Sequence, residues 1–573
     1  MNREEICNHL INAGYKASLT ADQTLLMVES SAGGQSVTLV HQFPDELLGP
    51  PKFCLVDAAK FGKLAHIIVG QNKDLGLVCV AEEDSISVNV DVPELVYEDW
   101  LDRHIRQLSR LFEEPDWNRQ ELLREFQTNW RFLCKQFGGK AGDIYVAWDK
   151  DCVDSLQVRA PKSNSPVSVG KKYFALADDL INGKHLEAVR RSADWSSRTS
   201  VGKGILVHLT KLEPAPNTGG ELLPWYVSAM NRIDESGCRA LNRLRKQPGK
   251  MYWVVFVAEI PGSVTSFAIH FRSQKKGRMP VSEEEARDWT MVPYNVRSLS
   301  RDALVPRGGG SIELAKKSVL LVGCGSVGSE VAYRLTSAGI GNLTITDSDV
   351  FSEDNLYRHT LCVKDIGFSK SVAVALDLQS KHPWANVVWR KDRLEDLRDP
   401  EALEPFDLIV VAIGSPTVER VFAEYCREHR IEVPVINCWV EAYGVGGHAI
   451  LDVPGMKGCW HCAYVDPDTL GRGLASNLNF LKPNQDLTLT HGGCGIQFLP
   501  YSGIAAGLTA TMTSDLCVRF LKDDIRTSST VSWKGSSVEA EERGFKLTYR
   551  YRHFVEPLTV RPLYNQYCDF CSE

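Results

Sequence analysis

The sequence predicts a multidomain α/β protein, and three observations carry that prediction. At 573 residues the chain is too long for one hydrophobic core, so two to four domains are expected. An apolar run, Lys317-Ser-Val-Leu-Leu-Val-Gly-Cys-Gly-Ser-Val-Gly328, enters a glycine turn and then a helical pattern from Ser329 to Ala338. That is the strand–loop–helix opening of a nucleotide-binding α/β domain. Two CxxC pairs, Cys459 with Cys462 and Cys568 with Cys571, lie far apart in the chain. Four thiolates in two tight turns suit one closed, structural Zn2+ that ties the chain's end back onto a domain.

Composition narrows the class. Hydrophobic residues at 43% and charged residues at 24% are ordinary for a soluble globular protein. A net charge of −7 argues against a nucleic-acid binder that relies on bulk positive charge. Sixteen cysteines with no signal peptide read as reduced thiols, so a cytoplasmic enzyme is expected. No apolar run approaches ~18 residues, so no membrane span is proposed.

Asn2 to Ala13 reads as a short amphipathic helix. Two alternating runs follow, from Thr24 to Glu29 and from Ser36 to His41, separated by Ala32-Gly-Gly. That is a β-meander. Then come Gln42-Phe43-Pro44, the pair Pro50-Pro51, His66 and the glycine-flanked Gly76-Leu-Val-Cys79. This order resembles a ubiquitin-conjugating domain over residues 1–112. The resemblance implies an α+β fold, Cys79 as the thiol that accepts an acyl group, and His66 as a catalytic neighbour. Cys54 is the strand alternative to Cys79. The family's H-P-N tripeptide is replaced here by Ala65-His66-Ile67, so its asparagine is missing.

Residues 113–300 are the least informative. Asp116 to Phe137 has helical composition, and apolar runs near Asp143, Gly204 and Tyr252 predict strands in an α/β linker domain. The cluster Arg272-Ser-Gln-Lys-Lys-Gly-Arg278 reads as a solvated loop. Gly308-Gly-Gly310 reads as a hinge into the last domain, 301–573.

In that domain Gly323, Gly325 and Gly328 form GxGxxG, which lets backbone approach phosphates at a helix start. A second strand, Leu343-Thr-Ile-Thr-Asp347, ends on an acid placed for a ribose hydroxyl. Asp349, Asn355, Arg358 and Lys370 follow closely. Hydride transfer has no need of such a cluster, whereas adenylation must hold a triphosphate while a carboxylate attacks its α-phosphorus. In this order the motifs resemble the Rossmann-like adenylating domain of ubiquitin-activating enzymes and their bacterial relatives (ThiF/MoeB-type) that activate sulfur carriers. The resemblance implies ATP and Mg2+ as cofactors, Asp349 as ribose ligand, Asn355, Arg358 and Lys370 as phosphate ligands, and Cys459, Cys462, Cys568 and Cys571 on zinc. It also implies a homodimer in which Arg301 or Arg307 reaches the partner's site. Where the family places a magnesium-binding aspartate, this chain has Ile413-Gly414-Ser415; the metal then falls to ATP itself, to Asp347 or Asp349, or to another residue. Cys494, in Thr490-His-Gly-Gly-Cys494, is the expected thioester nucleophile, with His491 beside it. Cys438 and Cys517 read as core.

The whole order is similar to bacterial fusions of conjugating and activating enzymes in cyclic-oligonucleotide antiphage (CBASS) operons. It implies a protein substrate with a C-terminal glycine, such as a cyclic-oligonucleotide synthase, and a target protein or small-molecule amine. The alternatives are a sulfur-carrier adenylyltransferase with an unrelated N-terminal domain and an inactive scaffold.

Overall fold

The computed structural model describes residues 2–69, 74–80, 88–149, 154–160, 172–181, 185–186, 189–190, 200–490, 497–555 and 561–568. The chain divides into two compact units. One comprises Met1–Val146, Val153–Asp178 and Ser196–Arg297; the other comprises Ala147–Cys152, Asp179–Trp195 and Ser298–Glu573. Both mix helix with sheet, as the sequence pattern requires.

The first unit opens with the helix Arg3–Asn12 and six strands: β1 (Lys16–Leu19), β2 (Leu25–Ala32), β3 (Gln35–Gln42), β4 (Cys54–Val56), β5 (Ile67–Val69) and β6 (Leu75–Val78). They form one sheet in the order β1-β2-β3-β4-β6-β5. β2 and β3 pair antiparallel from Leu25↔Gln42 to Ala32↔Gln35. The two residues left between them, Gly33 and Gly34, both take positive φ, as a tight hairpin turn requires. A Cβ on Gly33 would also lie 2.9 Å from the Ser109 carbonyl. Ser109 belongs to the helix Pro93–Glu113, whose Tyr97, Leu101 and Leu108 pack with Leu26, Val28 and Leu39 as one core.

The rest of this unit is a closed barrel. Its strands are β7 (Asp143–Ala147), β8 (Ser155–Arg159), β9 (Lys172–Ala177), β10 (Ser200–Leu209), β11 (Gly249–Ile260), β12 (Ser263–Gly277) and β13 (Thr290–Ser298). They close in the order β10-β11-β12-β13-β7-β9-β8. β10 and β11 run parallel, so the chain between them needs a crossover, supplied by the helices Leu222–Met230 and Glu235–Arg245. One sequence expectation fails here. The cluster from Arg272 is no loop, since β12 continues to Gly277 and its basic side chains line an exposed strand end. The helical pattern from Asp116 to Phe137 is borne out as two helices, Pro115–Arg124 and Phe126–Gln136, with a break at Glu125.

The second unit is a doubly wound sheet. β14 (Ser318–Val322), β15 (Asn342–Thr346), β16 (Asn386–Arg390), β17 (Leu408–Val411) and β18 (Val435–Val440) run parallel in the order β16-β15-β14-β17-β18. β19 (Gly446–Asp452), β22 (Ser529–Lys534) and β23 (Arg561–Pro562) extend the sheet antiparallel. A small hairpin, β20 (Leu489–Thr490) with β21 (Gln497–Phe498), stands apart. From β14 the chain first winds through β15 to β16, then returns to β17 on the other side. That reversal opens a crevice at the carboxyl ends of β14 and β17, where such folds bind ligands. The helices Ser326–Ser337 and Gly503–Leu521 pack in the core beside β14, with Cys438 and Cys517 buried as expected.

Gly308–Gly310 is not a hinge. It closes the helix Arg301–Arg307, with the Gly308 and Gly310 N–H groups bonded to the Val305 carbonyl. A Cβ on Gly310 would meet the Ser337 carbonyl at 2.9 Å. The segment Asp179–Trp195 joins the same unit through the Leu186 N–H, which donates to the Pro383 carbonyl at 2.7 Å. Among the described residues, no helix is long and apolar enough to cross a membrane.

Candidate nucleotide and acyl-transfer sites

β14 delivers the chain into the glycine turn at the crevice. Gly323 has φ +91°, and a Cβ on Gly328 would stand 2.0 Å from the Gly323 carbonyl, so neither position admits another residue. Gly325 caps the helix Ser326–Ser337 and faces open space. Asp347, just past β15, accepts the Cys324 N–H at 2.6 Å and the Asp349 N–H at 2.8 Å. Burial pushes its carboxyl above the usual carboxylate range, while those two donors and Lys370 pull it back. Lys370 opens the helix Lys370–Lys381 and bonds the Asp349 carboxylate at 2.9 Å.

Two cavities meet here and share Gly325, Lys370, Ala412 and Ile413 as walls. The smaller, 340 Å³, is lined by Gly323, Asp347 and Asp349. The larger, 550 Å³, is lined by Asn355, Arg358, Glu419, Glu441 and Tyr501. Arg358 lies 5.3 Å over the Tyr501 ring, and the Tyr501 hydroxyl pairs with Ser326 Oγ at 2.7 Å. The geometry therefore gathers the glycine turn, Asp347, Asp349, Asn355, Arg358 and Lys370. Neither Arg301 nor Arg307 lines these cavities. Arg301 packs 5.2 Å over Trp384, and Arg307 is exposed.

Glu419 is a site residue the sequence did not reveal. It lies one turn inside the helix Pro416–Glu428, buried, and accepts the Ser415 N–H at 3.1 Å. Burial pushes it up to about 7, against the pull of the Ser415 and Gly414 N–H groups. It thus places an acid beneath the Ile413-Gly414-Ser415 loop, which has none. Only its i+4 spacing from Ser415 could have hinted at this.

The thiols of Cys459, Cys462 and Cys568 lie within 4.8 Å of one another, with Cys459 and Cys568 3.6 Å apart. Zn–S bonds of ~2.3 Å place tetrahedral sulfurs roughly 3.8 Å apart, so this cluster has the right size for zinc. Cys571 lies outside the described residues, as do Cys494 and His491.

In the other unit Cys79 is exposed at the end of β6, and its N–H donates to the His66 carbonyl at 2.7 Å. His66 takes φ +59°. Its Nε2 lies 3.1 Å from Glu121 and its Nδ1 2.8 Å from Glu125, whose second oxygen accepts the His66 N–H. Burial opposes charge on the ring, but Glu125 and Glu121 outweigh it and raise its pKa. Two nitrogens facing two carboxylates favour the charged ring, which anchors the turn. Asn118 secures the same turn, accepting the Ala65 N–H at 2.8 Å and donating to the Lys63 carbonyl at 3.1 Å. The sequence hides this clamp because Glu121, on the helix Pro115–Arg124, and Glu125, at the break after it, lie far from His66 in the chain.

Fold and loop together define a doubly wound, nucleotide-binding domain, and residues 300–540 match the ThiF family. The chain is similar to the ATP-dependent ubiquitin transferase-like protein Cap2 of Escherichia coli (strain TW11681), 25% identical over 227 residues, 38% of this chain and 37% of that protein. Cap2 of Pseudomonas aeruginosa is 26% identical over 315 residues, 52% of this chain and 55% of that protein. The adenylyltransferase and sulfurtransferase MOCS3 of Xenopus laevis is 43% identical over 83 residues, 14% of this chain and 18% of that protein. The chain thus matches about half the length of these relatives at most.

Proposed function

We propose that this protein is an ATP-dependent, ubiquitin-activating and ubiquitin-conjugating-like transferase. It adenylates the C-terminal carboxylate of a protein substrate, relays the acyl group through Cys494 and then Cys79, and joins it to a target amine. The observation that carries the reading is the convergence of the glycine turn, Asp349, Arg358 and Lys370 on two adjoining cavities that share Gly325 and Lys370. The smaller cavity suits the nucleoside, with Asp347 and Asp349 facing a ribose. The larger suits the phosphates and the incoming carboxylate, with Arg358 and Lys370 offsetting their charge.

The carboxylate oxygen bonds the α-phosphorus, and the bond to pyrophosphate breaks. Lys370 and Arg358 stabilise the charge that develops there. The Cys494 thiolate then attacks the acyl carbon and AMP leaves; the Cys79 thiolate displaces Cys494; an amine displaces Cys79 and loses its proton to solvent. Magnesium, when bound with ATP, would spread phosphate charge; Glu419, which lines the larger cavity, is the acid that would hold it, with Asp347 or Asp349 as the alternatives. Zinc would sit on Cys459, Cys462, Cys568 and Cys571. In this reading residues 1–112 are the conjugating-like domain, 113–300 the linker and 301–573 the adenylating domain, acting as a cytoplasmic homodimer in antiphage defence. The substrate would be a cyclic-oligonucleotide synthase or another protein ending in glycine.

The test is exchange of labelled pyrophosphate into ATP with such a candidate substrate. Substrate-dependent exchange is expected; its absence across candidates refutes adenylation. The likeness to the Xenopus adenylyltransferase and sulfurtransferase favours a second reading, activation of a sulfur carrier, in which Cys79 is dispensable.

A further inference from the structure

We propose that His359 is a positioning residue that locks the peptide of the glycine turn in the orientation that receives the nucleotide's phosphates. The inference rests on the nucleotide reading above and goes one step deeper into the same site. The peptide in question joins Cys324 to Gly325. Its Cys324 carbonyl accepts a hydrogen bond from His359 Nε2 at 2.7 Å. On the other side of Cys324, its N–H is held by Asp347 at 2.6 Å. A trans peptide points its N–H away from its own carbonyl, so fixing the Cys324 oxygen also fixes the direction of the Gly325 N–H.

The lock acts on the peptide between two others that are already held, since Asp347 takes the Cys324 N–H on one side and the Ser329 N–H bonds the Gly325 carbonyl at 2.9 Å on the other. Gly325 has no Cβ, and a Cβ placed there would meet nothing within 4 Å. Glycine rotates through conformations closed to other residues, so a flip of this peptide costs little by itself. A flipped peptide would present the Cys324 oxygen, the negative end of its dipole, where the N–H stood. Phosphates would then face an acceptor instead of a donor.

His359 is set up for this task by its own neighbours. The Leu361 N–H donates to Nδ1 at 3.1 Å, so Nδ1 carries the lone pair and Nε2 carries the proton. Its ring packs 5.0 Å from Phe351. Burial keeps the ring neutral by lowering its pKa; the Cys324 carbonyl opposes this, Lys370 adds to it, and Glu330 and Asp365 oppose it. A second proton on Nδ1 would confront the Leu361 N–H with another donor and break that end of the clamp. His359 also follows Arg358 directly, so one anchor serves both Arg358 and the glycine turn.

The test measures Mg·ATP binding to the full chain by calorimetry for wild type, His359→Ala and His359→Gln, with near-ultraviolet circular dichroism as the folding check. Losing one well-formed hydrogen bond should weaken binding about tenfold in His359→Ala. His359→Gln, whose amide nitrogen can donate to the same carbonyl, should bind within about twofold of wild type. The wild-type affinity should fall on acidification below the ordinary histidine range, and that component should vanish in His359→Gln; the titration of ATP itself affects both proteins alike. If His359→Ala fails to fold, the pH comparison between wild type and His359→Gln decides. The inference is overturned if His359→Ala binds like wild type, if folded His359→Gln is as weak as His359→Ala, or if wild type and His359→Gln share one pH dependence. Wild-type protein that binds no ATP at all would remove the nucleotide reading itself and this inference with it.

Discussion

Replacing Lys370 with methionine isolates charge from packing, because methionine keeps an unbranched stem in nearly the same space. The Lys370 side chain is 10% exposed, whereas its partner Asp349 is 66% exposed. Loss of the ammonium therefore leaves Asp349 in water rather than stranded in the interior, and folding should lose at most about 1 kcal/mol. Toward a triphosphate the same ammonium donates a charge-assisted hydrogen bond, worth about 1.5–3 kcal/mol. That corresponds to a loss of about 10- to 150-fold in ATP affinity, with a further loss in rate if the contact tightens as pyrophosphate departs. Pyrophosphate exchange at saturating protein substrate, calorimetry with Mg·ATP and a thermal melt separate these effects. Lys370→Met exchanging within about twofold of wild type would refute the assignment of Lys370 to the phosphates. A large drop in melting temperature would show instead that the Lys370–Asp349 pair is chiefly structural.

Four further outcomes are expected. Purified protein should contain one zinc per chain by metal analysis, and Cys571→Ser should lower the melting temperature of the adenylating domain; metal-free protein that melts like the metal-bound form would count against this. Cys494→Ala should make adenylate without any thioester, while Cys79→Ala should load Cys494 and stop there, read as reductant-sensitive bands on gels; normal ligation by Cys79→Ala would favour the sulfur-carrier reading. Glu419 carries a pKa raised from 4.5 to about 7, so its ionisation destabilises the fold increasingly from the unfolded pKa up to about pH 7, by at most about 3 kcal/mol. Glu419→Gln should thus raise the melting temperature at pH 8 and leave it unchanged at pH 4; equal shifts at both would sink the argument. Light scattering should give a mass twice the chain's 63.9 kDa, and a monomer at assay concentration would oppose the dimer.

What the sequence disclosed follows from how local each signal is. β14, the glycine turn and the helix from Ser326 are contiguous, and their periodicity changes within a few residues of Gly323. The meander of β2 and β3 was equally legible, because Gly33 and Gly34 mark the turn. The exposed end of β12 was not: Lys275 and Lys276 carry no apolar alternation, and the register with β11 shifts between Met251↔Arg272 and Gly249↔Gly277, so only the pair at Gly277 ties the end of that stretch to its neighbour. Gly308–Gly310 misled for a related reason. Glycines permit a hinge, but packing against Ser337 decides that they cap a helix. The partners of His66 lie 55 and 59 residues away on Glu121 and Glu125, beyond any short-range pattern. Glu419 escaped because a buried acid on an amphipathic helix looks, in one dimension, like a solvated one.

The composition of the second unit bears on how this protein can be dissected. Its fold includes Asp179–Trp195, which the chain contributes long before Ser298. Leu186 from that segment is 1% exposed, and His185 lies against Trp384 with ring centroids 6.0 Å apart. A fragment begun at Ser298 would carry every nucleotide-binding motif yet lose His185 from beside Trp384 and the Leu186 N–H from the Pro383 carbonyl. An excised second unit should therefore be less soluble and less stable than the same residues within the full chain. A faithful minimal fragment would have to graft the earlier segment back, because this unit is not encoded by one continuous stretch of sequence.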